Sequence, residues 1–263
     1  MRILVCVKFV PDLQSQRSFT DGRVTRTADD GSMNELDENA VEAALQLTEA
    51  AEGEHDVIAL TVGGPDAVAA VRKALQLGVT RAVHVSDEAL AGSDVFGTAA
   101  ALSGAIRKIH DETPLDLVLT GMAALDGLTS LMPTLLGQYL EWPALTLASE
   151  LEVADGSATV VRHLPDAAET LTAPLPAVVS VTDELNKPRY PNFKMIMAAR
   201  KAEVPTWSLS DVGVPATSVG ATAARTTVLE AAPRPPRENV EIINDTGDGG
   251  ERLAAYLVEK GLV

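Results

Sequence analysis

The strongest constraint on this chain is an alternation. Short, nearly continuous apolar runs recur along it, and segments of helical periodicity separate them. Arg2–Phe9, RILVCVKF, is apolar through its middle and carries one lysine near its end. A strand reads this way when a parallel sheet buries both of its faces. Val10-Pro11-Asp12 stops it. His55–Thr61, with VIAL at Val57–Leu60, then Arg81–Val85, Leu115–Thr120 (LDLVLT) and Leu175–Val181 are the later runs. Ser32–Ala51, Asp66–Leu77 and Asp94–His110 are the intervening helices, the second closed by Gly78 as its C′ residue. The alternation predicts an α/β fold with a doubly wound, mostly parallel sheet. Ligands of such sheets sit beyond the carboxyl ends of the strands. Lys8 and Asp12 therefore begin in a candidate site; the plainer reading of Lys8 is a solvated strand end.

The loops carry the remaining signals. Leu13–Gly31 is polar and glycine-punctuated, and reads as a long excursion with a hairpin about Asp21-Gly22. Loops of that length tend to be functional or disordered. At the head of the Ser32–Ala51 helix both Asn34 and Asp37 offer N-caps, and Glu38, Val41, Ala44, Leu45 and Leu47 give an amphipathic repeat. A capped, positive helix end suits a polar or anionic ligand. Gly121–Tyr139 leads from Asp126-Gly127 through Thr129 and Ser130 into a helix at Leu131–Leu140, with Pro133 in its first turn. Two hydroxyls and free backbone N–H groups just past a strand end make a phosphate cradle. Ordinary Ser/Thr capping is the commoner use of such residues. No G-x-G-x-x-G follows the first strand and no P-loop motif occurs, so scattered loops would have to hold any nucleotide. Leu145–Ala173 alternates on either side of an Asp155-Gly156 turn and predicts an antiparallel meander on the sheet edge.

Composition narrows the function. A net charge of −16 and a pI near 4.6 argue against nucleic-acid binding, which needs a basic footprint. Cys6 is the single cysteine, which excludes a disulfide framework and any multi-cysteine metal site. It sits in an apolar strand and reads as a small buried hydrophobe. His84 has no nearby nucleophile or acid pair and reads as a plain sheet histidine. No metal-ligand cluster and no catalytic constellation stands out. Met1-Arg2 runs straight into ILVCV without a signal-peptide pattern, and no apolar run reaches the ~18 residues of a membrane span. A cytoplasmic protein without direct membrane insertion is expected.

The segment Val178–Lys201 opens as a strand, passes through a polar loop containing Pro188 and Pro191, and ends in a helical turn with basic residues. Arg189, Tyr190 and Phe193 lie in it, although only 3% of the chain is aromatic. Aromatics beside arginine are typical of binding hot spots; the plain alternative tucks them into the core. The run V-S-V-x-x-x-x-N-x-P-R-Y-P-x-F-K-x-I-M-x-A-x-K at Val179–Lys201 resembles the signature of the β subunit of electron-transfer flavoproteins (ETF). V-K-x-V-P-D in the first strand, N-E-L-D-E at Asn34–Glu38 and E-W-P at Glu141–Pro143 resemble the same family.

The resemblance implies an adenine nucleotide alpha hydrolase-like fold with antiparallel edge strands. It implies a nucleotide-binding domain at 1–201 containing a recognition loop at 182–197. An extended C-terminal arm at 202–263 would follow, poor in bulky apolar residues, with its terminal helix packed on the ETF α subunit. It also implies FAD shared with that α subunit and a structural AMP. The cofactor-binding residues it implies are Cys6, Lys8 and Val62 at strand ends, and Asn34, Glu35, Leu36 and Asp37 at the helix start. Asp126, Gly127, Leu128, Thr129, Ser130, Pro133 and Thr134 complete them around the cradle. Leu131-Met132-Pro133 stand where many members have polar residues, so a short cradle for AMP is expected in preference to a second FAD. Leu13 stands where an aromatic often touches the flavin. The implied partner-binding residues are Arg189, Tyr190, Pro191, Phe193, Ile196 and Met197. Acyl-CoA or other flavin dehydrogenases would donate electrons, and an ETF-quinone oxidoreductase type of acceptor would take them. Two alternatives compete: a stand-alone, stress-protein-like AMP/ATP-binding domain, and a bifurcating ETF β subunit with a second FAD.

Overall fold

Arg2–Cys6 (β1) is buried along all but its first residue, and the fold is built outward from it. The computed structural model describes residues 1–20, 22–236, 242 and 244–263. After β1 the chain forms β2 (Phe9–Pro11), the short pair β3 (Phe19–Thr20) and β4 (Arg23–Val24), and β5 (Gly31–Met33). β3 and β4 pair antiparallel as the expected hairpin, although Asp21 of its turn lies outside the described residues. β2 and β5 also pair antiparallel. Next come α1 (Glu35–Ala50), β6 (Asp56–Val62), α2 (Val68–Leu77), β7 (Arg81–Val85), α3 (Val95–Glu112), β8 (Leu117–Gly121) and α4 (Met132–Leu140). The edge strands follow: β9 (Ala144–Ala148), β10 (Glu150–Ala154), β11 (Ser157–Leu164) and β12 (Ala167–Pro174). β13 (Ala177–Val181), α5 (Phe193–Lys201), β14 (Thr206–Trp207), α6 (Gly220–Ala223) and α7 (Gly249–Glu259) complete the chain.

Seven strands form the central sheet in the order β14-β7-β6-β1-β8-β13-β9, every neighbouring pair parallel. Alternate residues of each strand feed opposite layers, as strand geometry requires. Ile3, Val5, Val57, Ala59 and Leu119 pack with Val41, Ala44, Val71 and Ala74 of α1 and α2. Leu4, Ile58, Leu60, Val83 and Val118 pack with Leu102, Ile106 and Leu136 of α3 and α4. This is the doubly wound α/β arrangement that the apolar runs predict.

Several local expectations are corrected. The first long helix starts at Glu35, because Gly31–Met33 pairs with β2. A 3₁₀ turn at Pro65–Ala67 precedes α2. The segment read as the first strand of an antiparallel meander joins the main sheet instead: β9 lies parallel to β13. Its apparent alternation is broken by Leu147 at φ 62°, where the register against β13 shifts. Only β10, β11 and β12 form the antiparallel sheet.

The chain makes two compact units, Met1–Ala231 and Ala232–Val263. The first runs on past Lys201. β14 adds to the outer edge of β7, and Leu209, Val212 and Val219 are buried behind it. Within the second unit α7 is amphipathic and has no buried residue. Among the described residues, no helix is long and apolar enough to cross a membrane.

Candidate functional site

From β1 the chain winds through α1 to β6 and β7 on one side, and β8 lies on the other side of β1. The order reverses there, between β1 and β8. The crevice beyond the carboxyl ends of two such strands is where doubly wound sheets bind ligands. The residues gathered at this point come from β1 and the residues just after it, the segment after β4, the start of α1 and the loop after β8.

Asn34 is fully buried and acts as a hub. Its Nδ2 donates to Asp37 Oδ1 at 2.9 Å and to the Ala123 carbonyl at 2.9 Å, and its Oδ1 accepts the Leu125 N–H at 3.0 Å. It stands at the N-cap position of α1 but makes no side-chain cap bond. The expected cap is thus replaced by a latch on the β8–α4 loop. Asp37 also caps nothing: its Oδ2 accepts the Lys8 N–H at 2.8 Å. Burial pushes its carboxyl up to about 7, against the opposing pull of Asn34 and the Lys8 N–H. Cys6 is its neighbour, and burial, then the Asp37 charge, push the thiol well up, so it stays protonated and inert. At Gly121 a Cβ would stand 2.6 Å from Asp37 Oδ1 and 2.7 Å from the Leu36 carbonyl. Only glycine lets β8 and α1 approach this closely.

One step outward, the Asp126 carboxylate is enclosed, its side chain 0% exposed. Lys8 Nζ donates to Oδ1 at 2.8 Å, and Arg26 donates to Oδ2 through Nε at 3.1 Å and also through Nη2. Burial raises the carboxyl, but Lys8 and then Arg26 outweigh it and hold Asp126 below the usual carboxylate range. The Lys8 side chain remains 44% exposed. Arg26 was not legible as a site residue, since 100 positions separate it from Asp126.

Gly127, Leu128, Thr129 and Ser130 are exposed, with Leu128 at φ 50° and Ser130 at φ 49°. Non-glycine residues in this region cost about 1–3 kcal/mol each and cluster at ligand clamps. They lead to α4, whose N-cap residue Leu131 makes no side-chain cap bond and whose first turn holds no acid. Pro133 is buried and Thr134 exposed in that turn. Pro133 has no N–H, so the first-turn donors are those of Met132 and Thr134; with the exposed hydroxyls of Thr129 and Ser130 they suit an anion. Val62 ends β6 half-buried, on the far side of β1; Glu35 is exposed and Leu36 half-buried. Leu13 is exposed after β2.

A second cluster lies in the loop after β13 and the first turns of α5. Tyr190 is 94% and Phe193 78% exposed, Met197 is exposed, and Pro191 and Ile196 are half-buried. The core reading of these aromatics therefore fails. Asn192 caps α5 by accepting the Met195 N–H. Arg189 behaves differently from its neighbours. Its guanidinium is tied within the chain to Glu42, at 2.7 Å from Nε, and to Glu49, at 2.6 Å from Nη1. Neither glutamate was singled out in the sequence, because they stand 147 and 140 positions upstream.

Residues 21–212 match the family model of the electron transfer flavoprotein domain. The chain is 40% identical to the electron transfer flavoprotein subunit beta of Mycobacterium tuberculosis and 41% identical to that of Mycobacterium leprae, each over 99% of both chains. It is 33% identical to the caffeyl-CoA reductase-Etf complex subunit CarD of Acetobacterium woodii, over 99% of this chain and 97% of that one.

Proposed function

The chain belongs to the electron transfer flavoprotein family as a beta subunit, an electron-carrier component that pairs with an alpha subunit and is associated with flavin, and from that premise we propose what its two clusters do. The β1/β8 crevice holds AMP, and the Tyr190–Met197 surface docks a flavin dehydrogenase. The dehydrogenase class includes those acting on acyl-CoA, and the electrons pass onward to a quinone oxidoreductase type of acceptor. The setting is the cytoplasm.

The observation that carries the nucleotide reading is the open start of α4. A phosphate placed there meets the helix-start N–H groups of Met132 and Thr134 and the hydroxyls of Thr129 and Ser130, just after the Asp126 that holds Lys8 and Arg26. Asp126 does not repel it, because two cations neutralise that carboxylate. Leu131, Met132 and Pro133 offer no polar side chains to a longer ligand, and each buried hydrogen bond left unmade costs roughly 1–3 kcal/mol. AMP therefore fits better than a second FAD. Asn34, itself braced by Asp37, holds the Ala123–Leu125 backbone, which fixes the loop around the nucleotide.

FAD, shared with the alpha subunit, supplies the redox chemistry when bound. This chain contributes placement: exposed Leu13 presents apolar surface to a ring held largely by the partner, and Tyr190 and Phe193 present the docking anchors. The test is to purify the heterodimer, denature it and quantify the released nucleotides. One FAD and one AMP are expected. Two FAD and no AMP would overturn the assignment of the crevice.

A further inference from the structure

An exposed aromatic on a loop, Tyr190, and another at the first residue of α5, Phe193, are poor anchors if the segment that carries them is free to move, since ordering it opposes docking. The loop after β13 is fastened to α1 at two points, besides the bonds of Thr182 to Ala148 and of Glu184 to His163 near its start. Asn39 Nδ2 donates to the Asn186 carbonyl at 3.1 Å and to its Oδ1 at 3.2 Å, and Asn186 Nδ2 returns a bond to the Asn39 carbonyl at 3.0 Å. Three residues on, Arg189 Nε and Nη2 grip both oxygens of Glu42 at 2.7 and 3.1 Å, while Nη1 and Nη2 grip both oxygens of Glu49 at 2.6 and 3.0 Å. The Arg189 backbone N–H also reaches Glu42 Oε2 at 3.1 Å. Glu42 and Glu49 lie seven residues apart, two turns along one face of α1. Glu42 is buried, and its other polar contact is Gln46 Nε2 at 2.8 Å.

We propose that Arg189 is a positioning residue: a clasp that fixes Tyr190 and Phe193 on α1 before a partner arrives, and not itself a partner contact. The inference rests on the docking reading given above. Two bidentate grips leave the guanidinium almost no free donor for a partner carboxylate. Opening the clasp for a partner would leave Glu42 buried without its counter-charge, which is strongly unfavourable. The planar fork is essential to the grip, so lysine cannot replace it.

The two roles predict opposite results for Glu42→Gln. If Arg189 is a clasp, removing the Glu42 charge loosens the loop and weakens docking. If Arg189 is a contact, the same change frees it for the partner, and docking is unchanged or tighter. The experiment uses the assembled heterodimer as substrate of a flavin dehydrogenase that reduces it. Apparent KM, kcat, flavin content and melting temperature are measured for Arg189→Lys, Glu42→Gln, Glu49→Gln and the Arg189→Lys/Glu42→Gln pair. The clasp predicts KM raised on the order of tenfold by Arg189→Lys and by Glu42→Gln, a smaller rise for exposed Glu49→Gln, and unchanged kcat and flavin content. It predicts that the double variant is no worse than either single one, because both open the same clasp. Glu42→Gln with wild-type or lower KM, beside a weakened Arg189→Lys, would overturn it. So would additive losses. Should Glu42→Gln melt early, Glu49→Gln carries the same decision from the solvent side. Phe193→Ala separates the premise from the inference. If it weakens docking while the Glu42 and Glu49 variants do not, only the clasp falls; if it has no effect, both fall.

Discussion

Asp37 is a carboxyl whose burial opposes its charge. Its folded pKa of about 7 lies above the ordinary carboxylate value. Over the interval between the two values the folded chain keeps a proton that the unfolded chain releases. That contribution to stability is fully present below the ordinary value and is lost as pH rises through about 7. Asp37→Asn cannot ionise. Its melting temperature minus that of the natural chain should therefore climb between about pH 4 and pH 8. A difference that stays flat would mean that Asp37 is ionised throughout. Phe193 gives the opposite kind of prediction, in which function moves and stability does not. At 78% exposure it contributes little to the core. Truncating a central aromatic anchor commonly costs ~2 kcal/mol of binding, so Phe193→Ala should weaken partner-dependent flavin reduction about thirtyfold. Its melting temperature should stay near that of the natural chain. A fall of many degrees would end the anchor reading.

The start of α4 is an element whose electrostatics can be reversed by one side chain. Leu131→Asp places a carboxylate at an end argued to receive a phosphate. The position is exposed, so stability should stay within roughly 0.5 kcal/mol of the natural chain. Nucleotide retained through gel filtration should fall several-fold, and Leu131→Asn, polar but uncharged, should retain most of it. Equal retention by both variants would place the phosphate elsewhere. The elements themselves were largely legible. β1, β6, β7, β8 and β13 announce themselves because strands buried on both faces must be apolar throughout. β14 did not, since two residues hold no period. β9 was misassigned because a left-handed Leu147 inside it has no sequence signature. The site was legible where neighbours in sequence make it, as at Asp126–Ser130. It was illegible where partners are distant: Arg26 with Asp126, Arg189 with Glu42, and Asn34 as a latch on Ala123 are products of the topology.

At the scale of the whole molecule, the second unit buries no side chain among its described residues. Leu253, Tyr256, Val258, Leu262 and Val263 are all exposed. A chain that pairs with an alpha subunit has an evident use for such a surface. Without that subunit, limited proteolysis should remove residues beyond Ala231 quickly and leave Met1–Ala231 resistant; in the heterodimer the same segment should persist. A truncation after Ala231 should keep the melting temperature of the first unit and lose affinity for the alpha subunit. Equal cleavage rates with and without the partner would argue that the segment binds nothing.

The central position of β1 also governs how the chain is made. β1 is synthesised first, yet one of its neighbours begins only at Asp56 and the other only at Leu117. The outermost strand on the β6 side, β14, waits until Thr206. Such long-range parallel pairing is slow to form. A nascent chain paused before Leu117 holds a finished β1–β6–β7 sheet whose innermost strand has one open edge. That edge carries Ile3, Leu4 and Val5 and is a template for the wrong partner. Until Leu117–Gly121 is made, that edge of β1 has no native strand to cover it.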